Sequence, residues 1–412
     1  MCIFLYDKGK MTPKQIKTFH IPPAICALAM RFKMQNFTLY LVGGIVRDFL
    51  LHKSKRGFGK NSLATNDFDF CTSALPHEIK VILRSCENIH AIFDIGEKYG
   101  TIGAMIGNTK IEITTFRSEC DYSDNRHPDF VRFERDISTD LSRRDFTINA
   151  MACEILSGQI TDIFGGMADL KARKIRAVGN ANERFAEDAL RILRAFSFVA
   201  KFGFEIESTT MSAILAQKSL LKNISKERVN AEIIKILNGR FALKALKLIQ
   251  KNDIFAIDLP KKFSAIPKKA RIYGAFLIFK DAKLCESLQN KRAKNIENAF
   301  TALISAQKIR KICDLKRFFA EIRLRFELSD LQIALALQTA LRKKNRRFKK
   351  AFCPKMLKST LKINGFDLQN LGFKDVQIGA IKNALLAKIY SGDLPNQRAI
   401  LHCRIRQIAE ST

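Results

Sequence analysis

The sequence lacks several features that would assign it to a familiar class. Its ten cysteines are scattered singly without a Cys-x-x-Cys pair, and its six histidines show no metal-ligand spacing beside them. The cysteines therefore indicate reduced, mostly structural thiols in a cytosolic protein. No apolar run approaches membrane-spanning length, and residues 1–6 lack a basic leader and a cleavage site. We expect a cytoplasmic protein with neither a membrane anchor nor a signal peptide.

Acidic residues are scarce relative to basic ones. The chain has 412 residues, and 71 lysines and arginines against 40 acidic residues give it a formal net charge of +31. Such a field is typical of proteins that bind a polyanion, and nucleic acid is the first candidate. The alternative is that the lysines only decorate solvated helix faces. Basic clusters, which could grip RNA phosphates without reading sequence, occur at 261–262, 268–269, 308–316 and 342–350.

Two alternating stretches carry the candidate catalytic residues. Asp67 and Asp69 alternate with phenylalanines, which predicts a half-buried strand with both aspartates on one face. Residues 110–114 also alternate and place Glu112 opposite two isoleucines. A neighbouring strand could then bring a third carboxylate to the same edge. Three converging carboxylates without a cationic partner predict a Mg²⁺ site for nucleotidyl transfer, whereas the alternative is a pair of aspartates that ends a surface strand.

A glycine turn precedes the first of these stretches. A buried strand at 38–42 is followed by Gly43 and Gly44, which open a helix carrying Arg47. Backbone N–H groups at such a helix start can hold phosphate oxygens, and Arg47 adds a fixed cation. Further along, we predict a loop at 52–66 and an ordered loop or lid at 117–140.

A third polar set lies between residues 187 and 194. Glu187, Asp188, Arg191 and Arg194 fall on one face of a predicted helix. The buried side of this helix is predicted to consist of Ala186, Ala189, Leu190, Leu193 and Phe196. Ordinary ion pairs three and four residues apart would explain the polar face of a generic helix.

Five motifs, taken in order, carry a resemblance to a known family. They are Gly43, Gly44, Arg47 and Asp48; Asp67 and Asp69; Arg143, Arg144, Asp145, Phe146, Thr147, Asn149 and Ala150; Asp162, Gly165, Gly166, Asp169 and Leu170; and Glu187, Asp188, Arg191 and Arg194. A weaker sixth motif is formed by Glu227, Arg228 and Glu232. Together, over residues 39–232, they resemble the class II CCA-adding tRNA nucleotidyltransferase and bacterial poly(A) polymerase family, within the DNA polymerase beta-like superfamily.

The resemblance implies a fold, a domain order and an activity. It implies an α+β protein, in which a small nucleotidyltransferase head with a mixed, mainly antiparallel sheet precedes an all-α neck, body and tail. We expect an N-terminal extension at 1–36, the head at 37–170, the neck at 171–240, and the tRNA-binding body and tail at 241–412. The implied reaction adds CCA to the 3′ end of tRNA from CTP and ATP, without a nucleic-acid template, and releases pyrophosphate.

The resemblance also implies a role for each candidate residue. Asp67 and Asp69 would ligate two Mg²⁺ ions, and Glu112 would complete the primer-side site or act as its base. Gly43, Gly44 and Arg47 would hold the phosphates, while Arg143, Arg144 and Asp145 would contact the ribose and phosphates. The last of the five motifs, which begins at Glu187 and ends at Arg194, would bind the nucleotide. Within it, Asp188 and Arg191 would read the base edge. Ser197 departs from the family, whose members often have a further arginine at this position.

Other functions stay open beside CCA addition. Residues 96–101 and the tail motifs around Asn364, Asp367 and Pro395 resemble CCA-adding enzymes more than poly(A) polymerases. A poly(A) polymerase or an enzyme that adds only part of CCA is the alternative enzyme. A catalytically silent RNA-binding protein is the alternative from another class, but RNA binding has no need of the carboxylate set.

Overall fold

The computed structural model describes most of the chain. The described residues are 2–4, 18–52, 67–120, 130–260, 263, 266, 271, 275, 278–279, 291–305, 333–334, 337, 361–391 and 393–409. Two compact units divide the chain, Met1–Ala245 and Leu246–Thr412. The finer division into extension, head, neck and body stays a prediction. The four basic clusters and the predicted loop at 52–66, apart from its first residue, lie outside the described residues.

The first unit contains all the named strands. These are β1 Cys2–Phe4, β2 Thr18–His20, β3 Tyr40–Val42, β4 Asp67–Thr72, β5 Ile89–Gly96, β6 Thr101–Ile106, β7 Thr109–Thr115, β8 Arg117–Cys120, β9 Phe130–Phe133, β10 Ala152–Glu154, β11 Ile160–Thr161, β12 Lys174–Ile175 and β13 Glu205–Ile206. Its helices are α1 Pro23–Met34, α2 Gly44–His52, α3 Pro76–Arg84, α4 Ile137–Ser142, α5 Gly166–Ala172, α6 Ala181–Glu187, α7 Leu190–Phe202, α8 Ser208–Gln217, α9 Lys226–Asn238 and the start of α10 Ala242–Lys251.

A seven-stranded sheet forms the frame of this unit. Its strand order is β11-β10-β3-β4-β7-β6-β5, and every neighbouring pair is antiparallel except β4 with β7. The strands predicted from alternation at Asp69 and Glu112 are both present. With the helices that follow, the sheet confirms the predicted α+β fold with its mixed, mainly antiparallel sheet.

The alternation of residue types determines which face of each strand is buried. In β4, Phe68 and Phe70 are buried while Asp69 between them is exposed. In β7, Ile111 and Ile113 are fully buried. Because successive side chains in a strand point to opposite faces, the apolar positions pack into the core and the carboxylates lie on the other face.

The predicted loop at 117–140 is partly wrong. Its ends form an antiparallel ribbon, in which β8 pairs with β9 from Arg117 opposite Phe133 to Cys120 opposite Phe130. Helix α4 then begins after Asp136, whose side chain accepts a hydrogen bond from the backbone N–H of Ser138. Ladder hydrogen bonds satisfy the backbone, so a polar sequence forms a ribbon without filling a core.

The second unit is helical wherever the structure describes it as regular. The helices after α10 whose bounds the structure describes are α11 Lys291–Ser305, α12 Gly365–Asn370, α13 Asp375–Ser391 and α14 Arg398–Ala409. The last three share a core that includes Leu368, Leu385, Leu401 and Ile405. Among the described residues, no helix is both long and apolar enough to cross a membrane.

Candidate active site

The predicted carboxylates lie on the two parallel strands at the middle of the sheet. Asp69 on β4 is the register partner of Glu112 on β7, and Asp67 is the partner of Lys110. Adjacent strands are about 4.8 Å apart, so Asp69 and Glu112 lie side by side. The side chain of Asp67 lies outside the described residues, although its backbone is part of β4. The structure therefore brings the second aspartate and the glutamate to one place on the sheet.

One part of the carboxylate prediction is wrong. Glu112 does have a cationic partner, because Lys110 Nζ lies 2.7 Å from its Oε1 atom. The two residues are two positions apart on β7 and thus share a face. Among the described side chains, no group of three histidines, cysteines or acidic residues is placed to hold a metal ion. A cation at Glu112 would therefore compete with Lys110 for that oxygen.

The glycine turn lies beside the aspartate end of β4. Leu41 pairs with Phe70 in antiparallel register, so two residues later the chain reaches Gly43 next to the start of β4. Gly43 has φ of +71°, which favours glycine. Helix α2 begins at Gly44. This places a helix N-terminus at the carboxylate strands, as the sequence predicts.

Arg47 is held inside the protein. Its guanidinium donates to Asn149 Oδ1 and to Asp48 Oδ1, the second at 2.8 Å. The guanidinium carbon also lies 5.3 Å from the ring centre of Phe198 and 4.9 Å from that of Phe202. The residue is 5% exposed. These contacts fasten α2 to α7, and the predicted phosphate contact of Arg47 stays a prediction.

The two arginines after α4 differ in what they contact. Arg143 donates to the buried Asp140 and to Glu119, each with a distance of 2.8 Å. Arg144 donates to Asp140 at 3.0 Å, but its Nε is buried and has no hydrogen-bond partner among the described residues. A Cβ atom on Gly43 would lie 3.2 Å from Arg144 Nη1. Arg143 thus joins a salt-bridged turn, whereas Arg144 flanks the glycine turn.

Buried charge is balanced in this turn. Burial raises the pKa of Asp140, but the positive charges of Arg143 and Arg144 outweigh it, so the pKa lies below its usual value. Burial lowers the pKa of Arg143, and the carboxylates of Asp140 and Glu119 more than reverse that effect. Asp140 therefore stays ionised and Arg143 stays charged, as a buried ion pair requires.

Asp145 connects this turn to α7. Its Oδ2 accepts a hydrogen bond of 2.8 Å from Arg194, and its Oδ1 accepts one of 2.9 Å from Asn149. Burial raises the pKa of Asp145, but the Arg194 charge and these hydrogen bonds lower it by more, so the pKa lies below its usual value. The carboxylate is therefore an ionised hydrogen-bond acceptor on the side of the turn that faces α7.

The predicted continuous helix through Glu187 and Arg194 is wrong. Helix α6 ends at Glu187, Asp188 is extended with φ of −141° and ψ of 100°, and α7 begins at Leu190. The Asp188 side chain accepts the Leu190 N–H at 3.0 Å, which satisfies a backbone donor that a helix start would leave unpaired. Ala186 is exposed rather than buried. The four polar residues therefore belong to a junction and not to one helical face.

Tertiary contacts hold the polar groups of this junction. Arg228 on α9 donates to Asp188 Oδ2 at 2.8 Å. Arg191 donates to Glu187 at 2.6 Å and to the backbone carbonyl of Arg143 at 3.1 Å. Arg228 was known from the sequence only as part of the weak sixth motif. Its contact joins the sixth motif to Asp188, whose base-reading role stays a prediction.

Ser197 has a partner in the same weak motif. Its hydroxyl lies 2.5 Å from Glu232 Oε2, and Lys235 Nζ lies 2.6 Å from the other oxygen of that carboxylate. Glu232 is 3% exposed, so its charge needs these partners. The serine thus donates a hydrogen bond to the Glu232 carboxylate, and Lys235 supplies the cation.

Comparisons with known proteins agree with the geometry. A family model described as the Poly A polymerase head domain matches residues 39–176. A second model, described as the probable RNA and SrmB-binding site of polymerase A, matches residues 203–263. The first covers the sheet, the glycine turn and the turn at Arg143, and the second covers α8 to α10.

Curated relatives are similar over part of the chain. The CCA-adding enzyme of Lactococcus lactis subsp. lactis is 43% identical over 236 residues, which are 57% of this chain and 55% of the relative. That of Geobacillus thermodenitrificans is 37% identical over 280 residues, 66% of this chain and 65% of the relative. The matched region thus spans between about half and two thirds of the curated relatives' own length.

A solved structure is similar over nearly the whole fold. The crystal structure of the Bacillus stearothermophilus CCA-adding enzyme in complex with CTP has a TM-score of 0.65 and 27% sequence identity, and the match covers 95% of this chain and 99% of that one. Residues 39–176 therefore match the model of the Poly A polymerase head domain, and the resemblance of the chain to the family of CCA-adding tRNA nucleotidyltransferases and bacterial poly(A) polymerases is confirmed.

Proposed function

We propose that this protein adds CCA to the 3′ end of tRNA from CTP and ATP, releasing pyrophosphate at each addition. The observation that carries the proposal is the parallel register of β4 and β7, which places Asp69 beside Glu112. A silent RNA-binding protein has no need of paired carboxylates on the open face of a sheet. The CCA-adding enzymes found among the relatives support the choice of reaction.

Asp67, Asp69 and Glu112 suit a hard divalent cation, and Mg²⁺ is the ion we assign to them. Asp69 is exposed on its strand and Glu112 is half-buried, and carboxylate oxygens are the ligands that Mg²⁺ prefers. When bound, Mg²⁺ would supply charge that lowers the pKa of the primer 3′-hydroxyl and neutralises the triphosphate. The chain's own contribution is to set the carboxylates at a fixed strand spacing.

The remaining residues would hold the nucleotide from its phosphates to its base. Gly43 and Gly44 would offer backbone N–H groups to the phosphates at the start of α2, with Arg47 and Arg144 as cations. Arg143 would keep the turn in place. These roles place the phosphate end of the nucleotide at the glycine turn.

The ribose and the base would lie toward the α6–α7 junction. Asp145 would accept a hydrogen bond from a ribose hydroxyl, which its ionised state allows. Asp188 and Arg191 would read the base edge, with Glu187 and Arg194 holding them in place. Fixed donors and acceptors select a base because a mismatched base leaves buried polar groups unpaired.

The tRNA would be held mainly through its phosphates. The formal net charge of +31 favours a polyanion, and the match of residues 203–263 to a probable RNA-binding site supports this partner. We place the reaction in the cytoplasm. The five cysteines whose side chains the structure describes are free thiols, as suits a reducing compartment.

The test is primer extension on a tRNA that lacks its 3′ CCA. The purified protein is incubated with Mg²⁺ and with CTP and ATP, singly and together, and the products are sequenced. We expect addition that ends at CCA and that disappears in Asp67→Ala and Asp69→Ala. Circular dichroism of both variants shows whether they fold.

Other results of the extension experiment would indicate other functions. Runs of A would identify a poly(A) polymerase, and products that carry only C or only A would identify an enzyme for part of the CCA end. Tight tRNA binding without extension would identify a silent RNA-binding protein and overturn the proposal.

A further inference from the structure

Aromatic and basic side chains alternate on the ribbon formed by β8 and β9. Phe130 is 73% exposed and the side chain of Arg132 is 84% exposed. Because the two residues lie two positions apart on β9, they share one face of the ribbon. Phe133, which is also exposed, lies on the opposite face, and the exposed Arg135 follows the end of the strand. The stretch therefore presents ring faces and cations together to solvent.

The ribbon is anchored to the candidate active site. The hydroxyl of Ser118 on β8 donates a hydrogen bond of 2.8 Å to Glu134, which follows β9. This bond joins the two strands at one end of the ribbon. Glu119, also on β8, is 7% exposed at its side chain and lies 2.8 Å from Arg143. Arg143 precedes Arg144, which flanks the glycine turn at Gly43. Directly opposed residues of two paired strands share a face, and Glu119 is opposite Val131. The ion pair with Arg143 therefore anchors the inner face of the ribbon to the turn, and Phe130 and Arg132 lie on the outer face.

The exposed side chains have little to hold them within the protein. Arg132 Nε lies 3.9 Å from Glu134, and an exposed pair at this distance contributes little. On the opposite face, Phe133 is more enclosed, because its ring packs against Gly100. An open ring face beside a cation is the arrangement by which proteins bind unpaired nucleotides, through stacking and a phosphate contact.

We propose that Phe130 and Arg132 form a stacking surface for an unpaired nucleotide at the 3′ end of the tRNA. The inference rests on the proposed function and adds a subsite to it. Stacking needs a base with a free face, so the surface selects the single-stranded end over the acceptor duplex. The ion pair of Glu119 with Arg143 fixes the ribbon to the turn that follows α4, with Phe130 and Arg132 on its outer face.

The absence of tryptophan from the chain provides a direct test. Phe130→Trp puts a single fluorescent indole on the ribbon, and Val81→Trp puts one at a control position on α3 that is 63% exposed. Each variant is titrated, without nucleotide, with a tRNA that ends before CCA and with a blunt RNA duplex. We expect the tRNA to quench the indole of Phe130→Trp, the duplex to leave it unchanged, and neither RNA to affect Val81→Trp.

Kinetics of two further variants complete the test. We expect Phe130→Ala to raise the KM for tRNA about tenfold, with the KM for CTP unchanged, and Phe130→Tyr to restore the tRNA KM. The exposed position lets both variants fold, which thermal melting verifies. Unaltered tRNA KM in Phe130→Ala, or equal quenching by tRNA and duplex, overturns the inference. Wild-type protein that extends no tRNA would instead overturn the proposed function, and the quenching experiment separates the two because it needs no catalysis.

Discussion

The two polar centres of the first unit are built in different ways. Asp69 and Glu112 share one face because buried phenylalanines and isoleucines alternate with them on adjacent strands. Asp188 and Arg191 lie at a helix junction, where side chains from α6 and α9 and a backbone carbonyl orient them. Strand geometry positions the first pair, and tertiary ion pairs position the second. Mutations of their neighbours should therefore affect the two centres differently.

The largest expected effect comes from the strand carboxylates. We expect Asp69→Asn to lower kcat about 10³-fold or more, because charge stabilisation at such a site is worth several kcal/mol. The melting temperature should stay near that of the wild type, since the residue is exposed. Extension kinetics and thermal melting measure both quantities. Glu87→Gln, at another exposed acidic position, is the control, and equal activity of the two variants would remove Asp69 from catalysis.

The junction should respond through base selection instead. We expect Arg228→Ala to reduce the preference for CTP over UTP about tenfold or more, because Asp188 loses a charged hydrogen bond worth about 1.5–3 kcal/mol. Competition between the two nucleotides in one extension reaction measures the ratio. Lys226→Ala, an exposed position on the same helix, is the control. A preference that falls in Asp188→Asn but not in Arg228→Ala would show that Asp188 needs no support from α9.

A change at the glycine turn should weaken the binding of CTP and of ATP equally. Gly43→Ala places a side chain in a left-handed conformation, at a cost of about 1–2 kcal/mol, and brings it 3.2 Å from Arg144 Nη1. We expect the KM values for CTP and ATP to rise together by about tenfold, with their ratio unchanged. Gly107→Ala has similar strain at φ of +55° and open space around it. If Gly107→Ala has the same effect, backbone strain rather than Arg144 explains the result.

The smallest effect is expected away from both centres, at Glu207. Burial raises the pKa of this carboxyl, but hydrogen bonds from Thr209 and Thr210 at the start of α8 outweigh it and hold the pKa at about 2. Because the folded pKa lies below the ordinary value of 4.5, Glu207 stabilises the fold above that pH. This stabilisation is lost as the pH falls toward 2.

Glu207→Gln tests this effect. We expect it to lower the free energy of unfolding by about 1 kcal/mol at neutral pH, with the gap from the wild type closing below pH 4.5. Nucleotide selection should not change. Urea unfolding at neutral and acidic pH measures the gap, and a gap that does not change with pH would contradict the assigned cause.

The sequence predicted the elements whose pattern is local. Strand β4 and the helix that opens at Gly44 follow from alternation and from a glycine turn. The break at Asp188 could not be predicted in this way, because residues 186–196 have helical spacing on both sides of it. Asp188 leaves the helix because its carboxylate satisfies the Leu190 N–H and meets Arg228 from α9. A contact across 40 residues leaves no local signal in the sequence.

By itself, the sequence determined the α+β fold class, the order of its motifs and the placement of Asp69 and Glu112 on strands. The strand placement follows from residue periodicity, which depends on near neighbours, and the fold class follows from the family resemblance that the ordered motifs carry. Only the tertiary structure decided the partners of the charged side chains. Lys110 pairs with Glu112, and Arg228 pairs with Asp188. Arg143 lies in a salt-bridged turn beside Arg144, whose Nε has no hydrogen-bond partner among the described residues. The physical reason is that buried charges need opposite charges or hydrogen bonds. Folding brings Glu119 to Arg143 across 24 residues and Arg228 to Asp188 across 40, whereas Lys110 meets Glu112 because a strand puts residues two apart on one face.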